Sequence, residues 1–272
     1  MRMTKRFCAI LILLPLCSAL SQETQTAPSR TGWLRIQFPE LPRPEIKPAW
    51  FPYEFNPKQE AFEVYIPPDR PEEPYGVLGW TNPFDTAGTP RRFEPLLNDY
   101  HLIAVSADRC GNDSTFDRRI GLLVSAVLEL SKSFTINRDR LILSGFSGGG
   151  RTAATGCFVH PEIWHGAISW AGGSFYKTYS VPMPVGASSP GLNDFIPKAV
   201  TAENVKQAKK NARFVLITGS KDFNLNDSRG IYRALRNESF KALLIEQPGM
   251  GHEVGSVESM RKALEFVLED RM

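Results

Sequence analysis

From Phe62 onward, short β-patterned runs and helix-patterned runs take turns along the chain, and this alternation restricts the fold more than any other feature. Phe62 to Ile66 alternates like a half-buried strand, Tyr75 to Trp80 reads as a buried strand, and Arg91 to Asn98 as a short helix. His101 to Ser106 is a strand, and Asp117 to Ser131 spaces apolar residues as a helix does, with Ser114 or Thr115 as its cap. Arg140 to Ser144 (strand), Gly149 to Val159 (helix), Ala167 to Trp170 (strand) and Arg213 to Thr218 (strand) follow. Arg229 to Arg236 (helix), Ala242 to Glu246 (strand) and Val257 to Glu269 (helix) complete the series. The pattern predicts an α/β fold: a mostly parallel central sheet of about eight strands flanked by helices on both faces. Right-handed crossovers would bring the C-terminal strand ends to one edge, where open sheets of this kind bind ligands. Ser174 to Asn211 is the one long interruption, lying either over that edge or elsewhere on the surface.

The N-terminus is organised differently. Arg2, Lys5 and Arg6 precede the apolar run Phe7 to Leu16, and Ala19 and Ser21 stand at −3 and −1 of a cleavage before Gln22. Residues 1–21 therefore read as an export signal, too short in its apolar run to span a bilayer. Leu precedes Cys17 where a lipid-attachment site needs a small residue, so a periplasmic or extracellular protein without lipid anchor is expected. Residues 22–60 are rich in proline and are expected to wrap the surface, with one edge strand around Trp33 to Phe38. Residues 61–272 would form the catalytic domain. The full chain carries 32 basic and 29 acidic residues, and loss of the signal's three leaves 29 of each. No nucleic-acid partner is therefore expected, nor a membrane span after processing. Cys110 and Cys157 remain, and export permits their pairing, although a strand top and a helix interior are a doubtful geometry for it.

The segment Leu141 to Gly150, LILSGFSGGG, holds G-x-S-x-G centred on Ser147, between a strand and a helix. A serine hydroxyl needs a base to take its proton and a turn that holds it clear of the backbone; flanking glycines give such a turn room. The same residues imitate a phosphate-binding loop and a dinucleotide fingerprint. Arg151 stands where the first requires Lys, and both motifs belong after an early strand, not the fifth. Of four histidines, His101, His160 and His165 fall at the opposite sheet edge, whereas His252 follows a strand end in QPGMGH. That places His252 to act as general base. Asp222, after the strand Arg213 to Thr218 in TGSKDFN, is the expected orienting acid, with Asp227 its competitor. No His/Cys set has metal-ligand spacing, so neither metal nor organic cofactor is expected.

On GFSGGG, GSKD and GMGH, in that order and on strand ends, the chain resembles the α/β-hydrolase superfamily over almost its whole mature length. Within it, the sequence is most similar to exported esterases of the polyhydroxybutyrate depolymerase and feruloyl esterase type. The resemblance implies a carboxylic-ester hydrolase acting through an acyl-enzyme on a small-molecule or polymeric ester. It also implies an oxyanion hole of two backbone amides, one from Gly148. Family members usually carry His-Gly after the third strand; here stand Gly79, Trp80, Thr81, Asn82 and Pro83. Trp80, Thr81 or Asn82 would supply the second amide, and Pro83 has none to give. Trp80, Phe146 and Phe223 are expected to line the substrate site. A serine peptidase on the same fold is the alternative enzyme, and a hydrolase-like binding protein with little turnover the alternative outside enzymes.

Overall fold

Side chains along the strands of a single sheet point alternately to two faces, and each face is sealed by its own set of helices. The computed structural model describes residues 31–45, 53–68, 72–173 and 200–269. The strands are β1 (Gly32–Ile36), β2 (Phe62–Ile66), β3 (Tyr75–Thr81), β4 (Leu102–Ala107), β5 (Ile136–Phe146), β6 (Gly166–Trp170), β7 (Arg213–Gly219) and β8 (Lys241–Gln247). They lie in the order β1-β2-β4-β3-β5-β6-β7-β8. β2 pairs antiparallel with both β1 and β4, and every other neighbouring pair is parallel. The expected edge strand is β1. The chain steps outward from β3 to β4, then crosses back over β3 to β5. This reversal opens a crevice at the C-terminal ends of β3 and β5.

The helices are α1 (Glu94–Asp99), α2 (Phe116–Leu130), α3 (Gly148–Val159), α4 (Ala202–Asn211), α5 (Leu225–Asn237) and α6 (Val257–Leu268). Ile103, Val105, Phe214 and Leu216 face one core with Leu123 of α2, Phe158 of α3 and Leu235 of α5. Their strand neighbours Leu102, Ala104, Val215 and Ile217 face the other, against Leu96 and Leu97 of α1 and Met260 and Leu264 of α6. Period-two alternation in the strands and helical spacing between them thus build both layers. Thr115 caps α2, its hydroxyl accepting from the Arg118 amide at 3.2 Å, and Ser256 caps α6 in the same way on Ser259 at 3.1 Å.

Several boundaries differ from expectation. β5 begins four residues before Arg140, because Ile136 pairs with Tyr75 past a register shift; the polar residues Asn137 to Asp139 hid this extension. The short helix near Arg91 divides into a 3-10 turn over Arg91–Phe93 and α1, where Pro95 fits the first turn of the new helix. α5 starts at Leu225, a turn earlier than Arg229. Within the long interruption residues 202–211 form α4, capped by Thr201 and packed through Ala208. Residues 174–199, the rest of that interruption, and the expected signal at 1–21 lie outside the described residues. Cys110 and Cys157 form no disulfide with each other, and both are buried. No helix among the described residues is long and apolar enough to cross a membrane.

Arg118 in the first turn of α2 anchors the proline-rich segment. Its Nη2 donates to Glu60 Oε2 at 2.7 Å and its Nη1 to the Glu54 carbonyl at 2.6 Å. Glu60 is 1% exposed and also accepts from Arg109 at 3.1 Å. Removing one member of a buried pair strands the other charge, at a cost of about 3–5 kcal/mol. Glu60→Ala should lower unfolding stability by about that amount in urea titrations; a loss near zero would mean that the pair is not desolvated.

Candidate active site

β5 ends where the chain must turn into α3 without room to spare. A Cβ on Gly145 or on Gly149 would overlap the Thr81 carbonyl at the end of β3, so only glycine allows the two strand ends to meet the turn. Between these glycines Ser147 adopts φ 55 and ψ −120, a strained conformation for a residue with a side chain. Its amide donates to the Trp170 carbonyl of β6 at 2.8 Å, which fixes the turn from the other side. The Ser147 side chain is thereby lifted off the sheet at the edge where β3 and β5 end.

Asp222 and His252 arrive on two loops that are laced together. The Ser220 amide donates to Gln247 O at 3.0 Å, Lys221 N to Met250 O at 2.9 Å, and Gly249 N to Ser220 Oγ at 2.8 Å. Gly249 takes φ +76 to turn the second loop inward. Asp222, 5% exposed, accepts from Thr218 Oγ1 at 3.0 Å, from the Asn224 amide at 2.9 Å, and from His252 Nδ1 at 2.9 Å. A carboxylate only accepts, so Nδ1 carries the hydrogen and Nε2 is left as acceptor. The Ser147 hydroxyl lies 2.9 Å from that Nε2. This line of three groups can move a proton from Ser147 to His252 while Asp222 stabilises the resulting cation. Asp227 is exposed in the first turn of α5, and the carboxylate that His252 Nδ1 meets is that of Asp222.

The imidazole sits between two rings. Phe223 stacks on it with centroids 4.1 Å apart, and Phe146 tilts against it at 5.0 Å. Phe223 is 72% exposed, so its outer face is open to whatever approaches Ser147. Trp80, expected beside these two as a lining residue, is instead 1% exposed and packs edge-on against Phe93 at 6.1 Å. Strand alternation turns its ring down into the core, away from the edge. Trp80 and Thr81 also differ from expectation as amide donors. Trp80 is in register with both Ser106 and Ser144, and Thr81 with Gly145, so their backbone is engaged in the sheet. The next residue, Asn82, has an amide with no hydrogen-bond partner among the described residues, set against Gly149. The amide of Gly148, first residue of α3, is likewise unengaged, as first-turn amides are.

Sequence reasoning missed three further contributors. Thr218 and Asn224 hold the Asp222 carboxylate, and Asn224 Nδ2 also donates to Ala171 O at 2.8 Å. Arg119 of α2 donates to Thr81 Oγ1 at 3.1 Å and to Asn82 O at 2.8 Å, tying down the loop after β3. Its signal was an arginine pair in the first turn of a helix, where the helix dipole disfavours cations. Cys110 offers no rival nucleophile, since burial pushes its thiol up to about 12. His160 and His165 sit below the sheet's other edge, bonded to Glu162 and to the Arg138 carbonyl. No cluster that could hold a metal ion occurs among the described residues.

An eight-stranded sheet of this order, with a serine at a strained turn after β5, defines an α/β-hydrolase. The sequence narrows the class: a model of the prolyl oligopeptidase family matches residues 122–269, over half of the chain, which belongs to that family. No curated protein matches the sequence. Among solved structures, the chain is similar to S-formylglutathione hydrolase from Staphylococcus aureus, at 12% identity and a TM-score of 0.58, covering 77% of this chain and 93% of that one. It is similar to a mutant feruloyl esterase module from Clostridium thermocellum complexed with sinapinate, at 13% identity and 0.58, covering 78% and 84%. A fluorophosphonate-binding serine hydrolase from Staphylococcus aureus gives 14% identity and 0.54, covering 78% and 93%. At such identities the likeness is one of fold.

The tightness of the turn makes a prediction. Gly149→Ala places a methyl group against backbone atoms of Thr81 and Asn82 that have no rotamer to yield. It should destabilise the protein by about 1–3 kcal/mol in chemical denaturation. A neutral result would show that the β3 end moves freely relative to Ser147.

Proposed function

We propose that the protein is an exported serine hydrolase that cleaves carboxylic esters, with Ser147 as nucleophile, His252 as general base and Asp222 as its orienting acid. The observation that carries this reading is the continuous hydrogen-bonded line Asp222–His252–Ser147, at 2.9 Å for each link, ending on a strained serine. In the first step His252 takes the Ser147 proton as the oxygen attacks the ester carbonyl. The oxyanion rests on the amides of Gly148 and Asn82, and loss of one such donor typically costs about 2.7–4 kcal/mol. His252 then gives the proton to the departing alcohol. Water, activated by the same imidazole, releases the acid and restores Ser147. No cofactor takes part in this scheme. Export rests on the basic, apolar and small-residue pattern of residues 1–21.

Ester cleavage is supported by the resemblance of GFSGGG, GSKD and GMGH to exported esterases, and by fold neighbours named as a feruloyl esterase module and an S-formylglutathione hydrolase. The family match favours a second reading, cleavage of peptide bonds by the same acyl-transfer chemistry. Hydrolysis of 4-nitrophenyl butyrate and of a proline-containing peptide 4-nitroanilide, measured side by side, separates the two. The ester should be turned over and the anilide not; the reverse would favour the peptidase. Ser147→Ala should abolish turnover, and Asp222→Asn should lower kcat by about 10⁴-fold through the wrong imidazole tautomer. Asp227→Asn should leave kcat unchanged, and a large loss there would reassign the acid.

A further inference from the structure

The loop after β4 is laid across the loop after β3. Asp85 Oδ1 accepts from the Gly111 amide at 2.9 Å, and the Pro83 carbonyl accepts from the Asn112 amide at 3.0 Å. Asn112 is thereby fixed through its backbone close to Asn82, and its side chain extends over the first residue of α3. A Cβ built on Gly148 would stand 1.8 Å from Asn112 Oδ1, 2.8 Å from its Cγ and 3.3 Å from its Nδ2. The carboxamide therefore fills the space that a side chain at position 148 would take, directly over the Cα that follows the Gly148 amide. Asn112 and Gly148 line, with Ser147, a cleft of about 260 Å³. Asn112 is exposed there, and its carboxamide makes no hydrogen bond among the described residues.

A structural asparagine spends its carboxamide on the backbone, as Asn224 does on Ala171 O at 2.8 Å; Asn112 spends nothing of its own. Its two N–H donors, held beside a reacting serine, are available to an oxygen that gains charge. Rotation about Cβ–Cγ exchanges the carboxamide oxygen and nitrogen, and with no hydrogen bond holding either end that torsion is soft. We infer that Asn112 is a further catalytic residue, its side-chain N–H joining the Gly148 and Asn82 amides as a third donor to the oxyanion. The inference rests on the esterase reading and adds a donor to that site. When Ser147 Oγ bonds to the carbonyl carbon, its proton passes to His252 Nε2 and the C=O π pair moves onto the carbonyl oxygen. Asn112 donates a hydrogen bond to that oxygen and keeps its own proton. The pair returns to C=O as the bond to the alcohol oxygen breaks, and the alcohol leaves with the proton from His252. Attack of water on the acyl-enzyme builds a second oxyanion in the same place, so both halves of the reaction depend on the donor.

The test measures kcat and KM for 4-nitrophenyl butyrate in the wild-type protein, Asn112→Ala and Asn112→Asp. The side chain makes no hydrogen bond in the folded protein, so both variants should keep the wild-type urea midpoint. Asn112→Ala should lower kcat by about 10- to 100-fold and leave KM within about twofold. Aspartate keeps the shape, lacks the N–H donors and sets a negative charge beside the oxyanion, so Asn112→Asp should lose at least as much. An alkyl trifluoromethyl ketone forms an oxyanion adduct with an activated serine, and its inhibition constant should rise in proportion to the loss in kcat/KM. An unchanged kcat in Asn112→Ala, a loss carried by KM alone, or a fully active Asn112→Asp would overturn the inference and leave the esterase reading intact. A fall in kcat matched by a lowered urea midpoint would make the side chain structural and overturn it equally. No turnover of the ester by the wild-type protein would overturn the esterase reading and the inference with it.

Discussion

His252 makes two hydrogen bonds that gather the site from distant parts of the chain. One reaches Asp222, 30 residues back, and the other Ser147, 105 residues back. Each partner stands at the C-terminal end of a different parallel strand, so the geometry holds only while β5, β7 and β8 keep their register. The sheet supplies that register through the pairs from Ile142–Gly166 to Gly219–Gln247. The loop hydrogen bonds from Ser220, Lys221 and Gly249 then convert strand positions into atomic ones. Two links at 2.9 Å therefore depend on two hydrophobic layers and a set of crossovers, which is why a site of three side chains needs a domain of this size.

The groups around the line have divided tasks. Asp222 is fully committed, with both oxygens accepting, so it cannot rotate away from His252. Ser147 is held by backbone strain and by glycine packing against Thr81. Arg119 reaches from α2 to the same loop that presents the Asn82 amide. A single buried cation thus connects the loop after β3 to the wall of the cleft beside Ser147 and supports the proposed oxyanion donor. Phe223 lies against the imidazole and faces outward, so its stacking contact holds His252 at the opening of the site.

Much of this was legible in the sequence because the features involved are local. Strand alternation from Phe62 to Ile66 and the caps at Thr115 are written in a few adjacent residues, and G-x-S-x-G names its own turn. The expectation that Ser147, Asp222 and His252 follow strand ends came from the βα rhythm together with GFSGGG, GSKD and GMGH, and they follow β5, β7 and β8. What escaped notice depended on contacts between segments. Trp80 reads as a substrate-lining aromatic at a strand end, yet the pleat turns it onto Phe93. The engagement of Trp80 and Thr81 in the sheet, which moves the free amide to Asn82, is a matter of register with β4 and β5. α4 was hidden because its face is mostly charged and only Ala208 is buried. Arg119 was hidden because a lone arginine beside Arg118 looks like solvated helix surface until the loop after β3 folds over it.

The central claim is that Ser147 is an activated nucleophile and not merely a serine on a familiar turn. Its most direct test is to treat the purified protein with a fluorophosphonate probe and read the product by intact mass and peptide mapping. The account predicts one adduct per chain, located on Ser147 and absent when His252 is replaced by alanine. A folded protein that takes up no probe, or takes it up elsewhere, would contradict it.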